Sequence, residues 1–227
     1  MTFNQHLKSH KHRLKKHTEI SRTSHRVDDI EQRMRQQTVV AIIPKVKQHA
    51  AIDNGTATHE AAHAVIGHIL GIKPIEIVVR GDWGETSVEP NLESIIQTIK
   101  ECARPSASFR KKTSKALEAF LKTTCAGYCA DSKLAGYPPT LTSDNCSDRS
   151  VIAACLKYNK NLCPDRQLSL NVAQEEVLAL LNMQGVWLKV QSIANTIKTT
   201  GGVLCEKQIE KLLPKCWKHT SRMEPFK

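Results

Sequence analysis

Thr58-His59-Glu60-Ala61-Ala62-His63-Ala64-Val65-Ile66-Gly67 is the stretch on which the reading of this chain turns. Ala61, Ala62, Ala64, Val65, Ile66, Ile69 and Leu70 recur there at helical spacing, after the turn Asp53-Asn54-Gly55 and before Gly71 and Pro74. That punctuation predicts a helix capped by Thr56 or Thr58 and stopped at Gly71. Residues four apart share a helix face, so His59 and His63 set two imidazoles side by side, the HExxH arrangement that suits one zinc ion. Glu60 adjoins the first of them. From there a carboxylate can take a proton from water during attack on a carbonyl carbon and return it to the leaving amine.

Two imidazoles leave such a site incomplete, since a hydrolytic zinc usually has three protein ligands and one open position. A metzincin extension would need Gly at 66 and His at 69, and the chain has Ile at both. His68 lies nine residues after His59, which at about 100° per residue places it on the far side of the helix. A downstream glutamate ligand would need a helix, whereas Glu85 falls in a predicted hairpin. An aspartate from a distant helix is the class left open.

Outward from the motif, Ile75-Glu76-Ile77-Val78-Val79-Arg80, the turn Gly81 to Gly84 and Glu85-Thr86-Ser87-Val88 read as a strand and its return. Helical periods follow at about 92–103, 113–135, 147–159, 171–183, 186–199 and 206–213. Cys102 to Lys115, with Arg104, Arg110, Lys111, Lys112 and Lys115, reads as a solvated loop rather than a flap. Aromatic residues are 4% of the chain, so the core rests on Leu, Ile, Val and Ala. The fold class expected is mainly α with a small β-hairpin or sheet.

The 227 residues carry 33 Lys+Arg against 22 Asp+Glu, a formal charge of +11. No uninterrupted apolar run exceeds six residues, as at Val151 to Leu156, with five at Val39 to Ile43, too short to span a bilayer. Residues 1–38 hold nine Lys/Arg, four acids and His6, His10, His12, His17 and His25, with almost nothing apolar to bury. This reads as a basic, flexible arm able to attract nucleic acid, an anionic membrane or an acidic protein. The globular domain is expected over 39–227. Eight Cys occur without CxxC spacing and without an N-terminal apolar h-region, so they are expected to stay reduced in a cytoplasmic protein.

The motif, together with several later segments, resembles the peptidase domain of FtsH-type zinc metallopeptidases. The run from Thr58 to Gly67 is similar to that family's HEAGHAVV signature, and Pro74 to Thr86, ending Arg80-Gly81-Asp82-Trp83-Gly84-Glu85-Thr86, resembles its hairpin with PRG and G-x-T elements. Cys125-Ala126-Gly127-Tyr128-Cys129-Ala130-Asp131 resembles its L-x-G-R-A-A-E segment. Thr142-Ser143-Asp144-Asn145-Cys146-Ser147-Asp148 resembles its T-x-G-A-x-N-D run.

The resemblance implies a zincin-like helical metallopeptidase domain in which His59, His63 and Asp148 bind Zn2+, Glu60 is the base and Asp131 orients a ligand histidine. Asp131 is one methylene shorter than the family's glutamate. Asp144 competes with Asp148, which is favoured for its place in the first turn of the 147–159 helix with Ser147 as cap. No G-x-x-x-x-G-K-[ST] loop occurs in the chain. The expectation is therefore a stand-alone, ATP-independent zinc metalloendopeptidase acting on unfolded or flexible polypeptides, with homo-oligomerisation left open. The alternative is a proteolytically silent binding or adaptor module whose basic arm engages an acidic partner.

Overall fold

A computed structural model describes residues 52–137 and 146–214, Cys146 by its backbone alone. The arm at 1–38, the Pro138-Pro139 pair and Asp144 lie outside the described residues. In chain order the elements are α1 (Asn54–Ile69), β1 (Lys73–Arg80), β2 (Trp83–Glu89), α2 (Leu92–Glu101) and α3 (Ala107–Ala135). They continue as α4 (Cys146–Leu162), α5 (Leu170–Asn182), α6 (Gln184–Thr199), β3 (Val203–Cys205) and α7 (Glu206–Leu212). The fold is mainly helical with one small antiparallel sheet, as the low aromatic content and the periodicities predicted.

Helix α1 is the centre of the molecule. Ala57, Ala61, Ala62, Ala64, Val65 and Ile66 are all fully buried, and the helix packs against α3, α6 and the β1–β2 hairpin. Four alanines let those neighbours approach closely, while burial of a side chain such as Val65 or Ile66 contributes roughly 1.5–3 kcal/mol. Its cap differs from expectation. Asp53, not Thr56 or Thr58, is the N-cap, its Oδ2 accepting from the Thr56 N–H at 2.9 Å. The Thr58 hydroxyl instead donates to the Asn54 carbonyl at 2.7 Å. A carboxylate is as good a cap as a hydroxyl, and Asp53 is the residue with extended backbone at the helix entry.

The sheet has the order β2-β1-β3. β1 and β2 pair from Lys73↔Glu89 to Arg80↔Trp83, with an irregularity between Pro74 and Glu76. β3 is a third strand absent from the sequence reading, pairing Ile77 with Leu204 on the other side of β1. It is only three residues long, too short for an alternating pattern to register. Gly201-Gly202 delivers it: both have positive φ, and Gly202 accepts from the Val79 N–H at 2.7 Å. A side chain at 202 would meet the Val79 carbonyl oxygen at 2.1 Å. With β3 on one flank, β2 keeps its outer edge unpaired among the described residues.

Helix α3 begins at Ala107, so the stretch expected to be a loop through Lys115 is helical beyond Ser106. Ser106 caps it by accepting from the Phe109 N–H at 3.2 Å. Its first turns present Arg110, Lys111 and Lys115 to solvent while Thr113, Ser114, Ala116 and Leu117 turn inward, which is amphipathic spacing hidden by a run of cations. α4 starts at Cys146, placing Ser147 inside the helix rather than at its cap and Asp148 in the first turn. The six cysteines with described side chains, 102, 125, 129, 155, 163 and 205, are free thiols. No helix among the described residues is long and apolar enough to cross a membrane.

Candidate metal centre

The i, i+4 spacing on α1 brings the His59 and His63 rings edge to face, 4.7 Å between centroids. His59, Glu60 and His63 all offer ligand atoms within 4.8 Å of one another. Each imidazole is held from behind at Nδ1. His63 Nδ1 lies 2.8 Å from the Thr123 carbonyl oxygen on α3; a carbonyl only accepts, so Nδ1 carries the hydrogen and Nε2 presents its lone pair. His59 Nδ1 donates to Asp131 Oδ2, also on α3, at 2.7 Å, which fixes the same tautomer.

Both Nε2 atoms face Asp148 on α4. Its Oδ2 stands 3.3 Å from His59 Nε2 and 3.6 Å from His63 Nε2, close enough for charge attraction but not aligned as a hydrogen bond, so that this buried oxygen has no hydrogen-bond partner. Three electron-rich atoms thus converge in a largely buried corner, an arrangement that is costly unless a positive charge lies among them. Donors about 2.0–2.1 Å from an ion at tetrahedral angles are themselves about 3.3 Å apart, which matches the spacing found. The residues present therefore fit a divalent metal ion with two imidazoles and one carboxylate.

The electrostatics agree. Burial pulls the His59 pKa down, but its contacts with Asp131 and Asp148 outweigh that and lift it to about 10. Burial likewise lowers the His63 pKa, and the charge of Asp148 more than compensates, so the net shift is upward. For Asp148 burial opposes ionisation, yet the charges of His63 and His59 hold its carboxyl well below the usual range. The corner attracts cations, whether protons or a metal.

Glu60 is almost fully buried at 5% exposure. Its Oε2 accepts from the Thr86 hydroxyl at 2.7 Å, and its carboxylate borders the same cleft as His59 and His63, a space of about 1160 Å³ with residues Trp83 to Val88 along one wall. Among the described residues, seven carboxylate side chains line that cleft, including Asp82, Glu85 and Glu93, and no Lys or Arg does.

The structure thus gathers His59, Glu60, His63, Asp148 and Asp131 in one place, with Asp131 against His59 rather than His63. His68 is buried on the other side, its Nε2 3.0 Å from the Pro214 carbonyl oxygen. Glu85 is in β2, exposed. The buried thiols of Cys125, Cys129 and Cys155 are pushed up by burial to about 12, which keeps them protonated and poor competitors as ligands or nucleophiles.

Sequence reasoning passed over two glycines. A Cβ at Gly127 on α3 would stand 2.3 Å from His59 Nε2, and one at Gly84 on β2 would stand 2.5 Å from Glu60 Cγ. A glycine inside a predicted helix is the signal that existed for Gly127, since it is unfavourable there without a close approach to accommodate; Gly84 is expected in the turn at 81–84 and the structure instead places it within β2. No protein-family model matches the chain, and a search of curated proteins returns no significant match.

Proposed function

We propose that this chain is a zinc-dependent metalloendopeptidase with a zincin-like helical domain, acting without ATP on unfolded or flexible polypeptides. The observation that carries the reading is the orphaned Asp148 Oδ2 facing two imidazole Nε2 atoms whose Nδ1 atoms are both occupied as donors. The likeness of the motif and the three later segments to FtsH-type peptidase domains supports it from the sequence side. His59, His63 and Asp148 would hold the ion, and Asp131 and Thr123 keep the two rings in the required tautomer. A bound zinc would supply Lewis acidity, polarising a carbonyl and making water acidic enough to lose a proton near neutral pH.

The rest falls to the chain's own groups. Glu60 takes a proton from the attacking water and gives it to the leaving amine. The edge of β2, unpaired among the described residues, offers main-chain donors and acceptors to an extended peptide, the strand-addition mode of recognition, and the carboxylate-rich lining favours cationic segments over anionic ones. Full-length protein should hold about one zinc per chain and cut an unfolded polypeptide. Glu60→Gln should keep the zinc and lose roughly 10²–10⁴-fold in kcat. Absence of zinc, or undiminished cleavage by that variant, defeats the proposal; zinc without cleavage in the unaltered chain would favour a silent binding module.

A further inference from the structure

Thr86 belongs neither to the HExxH motif nor to the donors around the metal corner. Its hydroxyl lies 2.7 Å from Glu60 Oε2 and 3.0 Å from the Glu60 main-chain carbonyl oxygen. One hydroxyl carries one hydrogen and donates to one of these at a time, and the charged, nearer carboxylate is the stronger acceptor. It is the only hydrogen bond made to the Glu60 carboxylate among the described residues. Gly84, two residues earlier and so on the same face of β2, leaves the space that the other oxygen occupies. A Cβ there would lie 2.7 Å from Oε1.

Strand β2 therefore holds one carboxylate oxygen and makes room for the other. A glutamate has three side-chain torsions, and a base must come within about 2.6–3.2 Å of the proton it removes. Left unheld, Glu60 would spread over rotamers that miss that position.

We propose that Thr86 is a positioning residue that fixes the Glu60 carboxylate in its working rotamer, an inference that rests on the peptidase reading of the same site. Since β2 is also the sheet's edge left unpaired among the described residues, the strand that would seat an extended peptide is the one that aligns the base.

The test is Thr86→Val, which keeps the β-branched shape and removes the hydroxyl, beside Thr86→Ser, which keeps the hydroxyl. In zinc-loaded full-length protein, Thr86→Val should lower kcat about 10–100-fold, the range expected on losing a hydrogen bond to a charged group. KM and zinc per chain should stay within about twofold, and Thr86→Ser should return kcat to within about threefold of the unaltered protein. Equal kcat in Thr86→Val, or a serine variant no better than the valine one, overturns the inference. A second readout needs no activity. In chelator-treated protein, the change in melting temperature caused by Thr86→Val should shrink in a Glu60→Leu background, and full additivity would overturn the contact. If the unaltered chain holds zinc and cuts nothing, the peptidase reading fails, and the melting cycle alone decides whether Thr86 holds Glu60.

Discussion

Gly127→Ala is the sharpest perturbation the geometry offers, because it adds one methyl group to a site where the space is already taken. The new Cβ would stand 2.3 Å from His59 Nε2 and 2.5 Å from both Cδ2 and Cε1, against the 3.4 Å at which ordinary contact begins. The shortfall at Nε2 is 3.4 − 2.3, about 1.1 Å. Gly127 is deep in α3 and His59 in the buried α1, so the ring is the part free to give. It is tied at Nδ1 to Asp131, and yielding means swinging Nε2 away from Asp148. Metal–donor distances tolerate about ±0.2 Å, so a displacement several times larger would remove one of the three proposed ligands.

Stability should change far less. Overpacking costs about 1–3 kcal/mol, and replacing an interior helical glycine by alanine recovers up to about 1 kcal/mol. The expected variant is therefore folded by circular dichroism, melting within roughly 10 °C of the unaltered chain in chelator, with zinc affinity reduced at least 100-fold in competition with a chromophoric chelator. Zinc affinity within threefold of the unaltered protein would refute the argument that the His59 ring and the Gly127 backbone define the same space.

Two further outcomes follow from the partners of His59. Asp131→Asn removes the negative charge behind the ring while leaving an acceptor, and zinc affinity should fall about 10–100-fold by the same competition assay; an unchanged affinity would leave Asp131 without the orienting role. With the metal stripped, protonated His59 stabilises the fold in full below pH 6.5, and that contribution is lost as pH rises through about 10. The melting temperature of chelated protein should accordingly fall between pH 7 and 10, and less steeply in Asp131→Asn, whose ring has lost the charge of one of the two aspartates that lift its pKa; identical slopes would sink this.

Much of the molecule was legible along the chain because it is written in neighbours. Helical periodicity located α1 and the helical segments after it, and a β-branched run followed by a glycine turn located the hairpin. Boundaries were read less well where two local signals competed. Asp53 and Thr56 are both able caps three residues apart, and only the backbone at the helix entry selected Asp53. The cations at 110–112 masked the amphipathic start of α3, whose inward residues gain their partners from α4. Ser114, for instance, meets Asn159 at 2.7 Å.

What the sequence determined by itself is the pair of imidazoles: a separation of four residues on a helix is a local distance, set by backbone geometry whatever the rest of the protein does. The same applies to Glu60 beside them. Asp131 and Asp148 were pointed to by resemblance, not by spacing, and tertiary packing decided where they stand. Asp131 reaches His59 across 72 residues of chain, and Asp148 enters the corner only because α4 lies on α3 while α3 lies on α1. Gly127, Gly84 and Thr86 acquire their meaning in the same way, from surfaces that meet after folding. No pattern within one element states which side chain of another will be waiting opposite it, and that is why the donor pair could be read and the enclosure around it had to be seen.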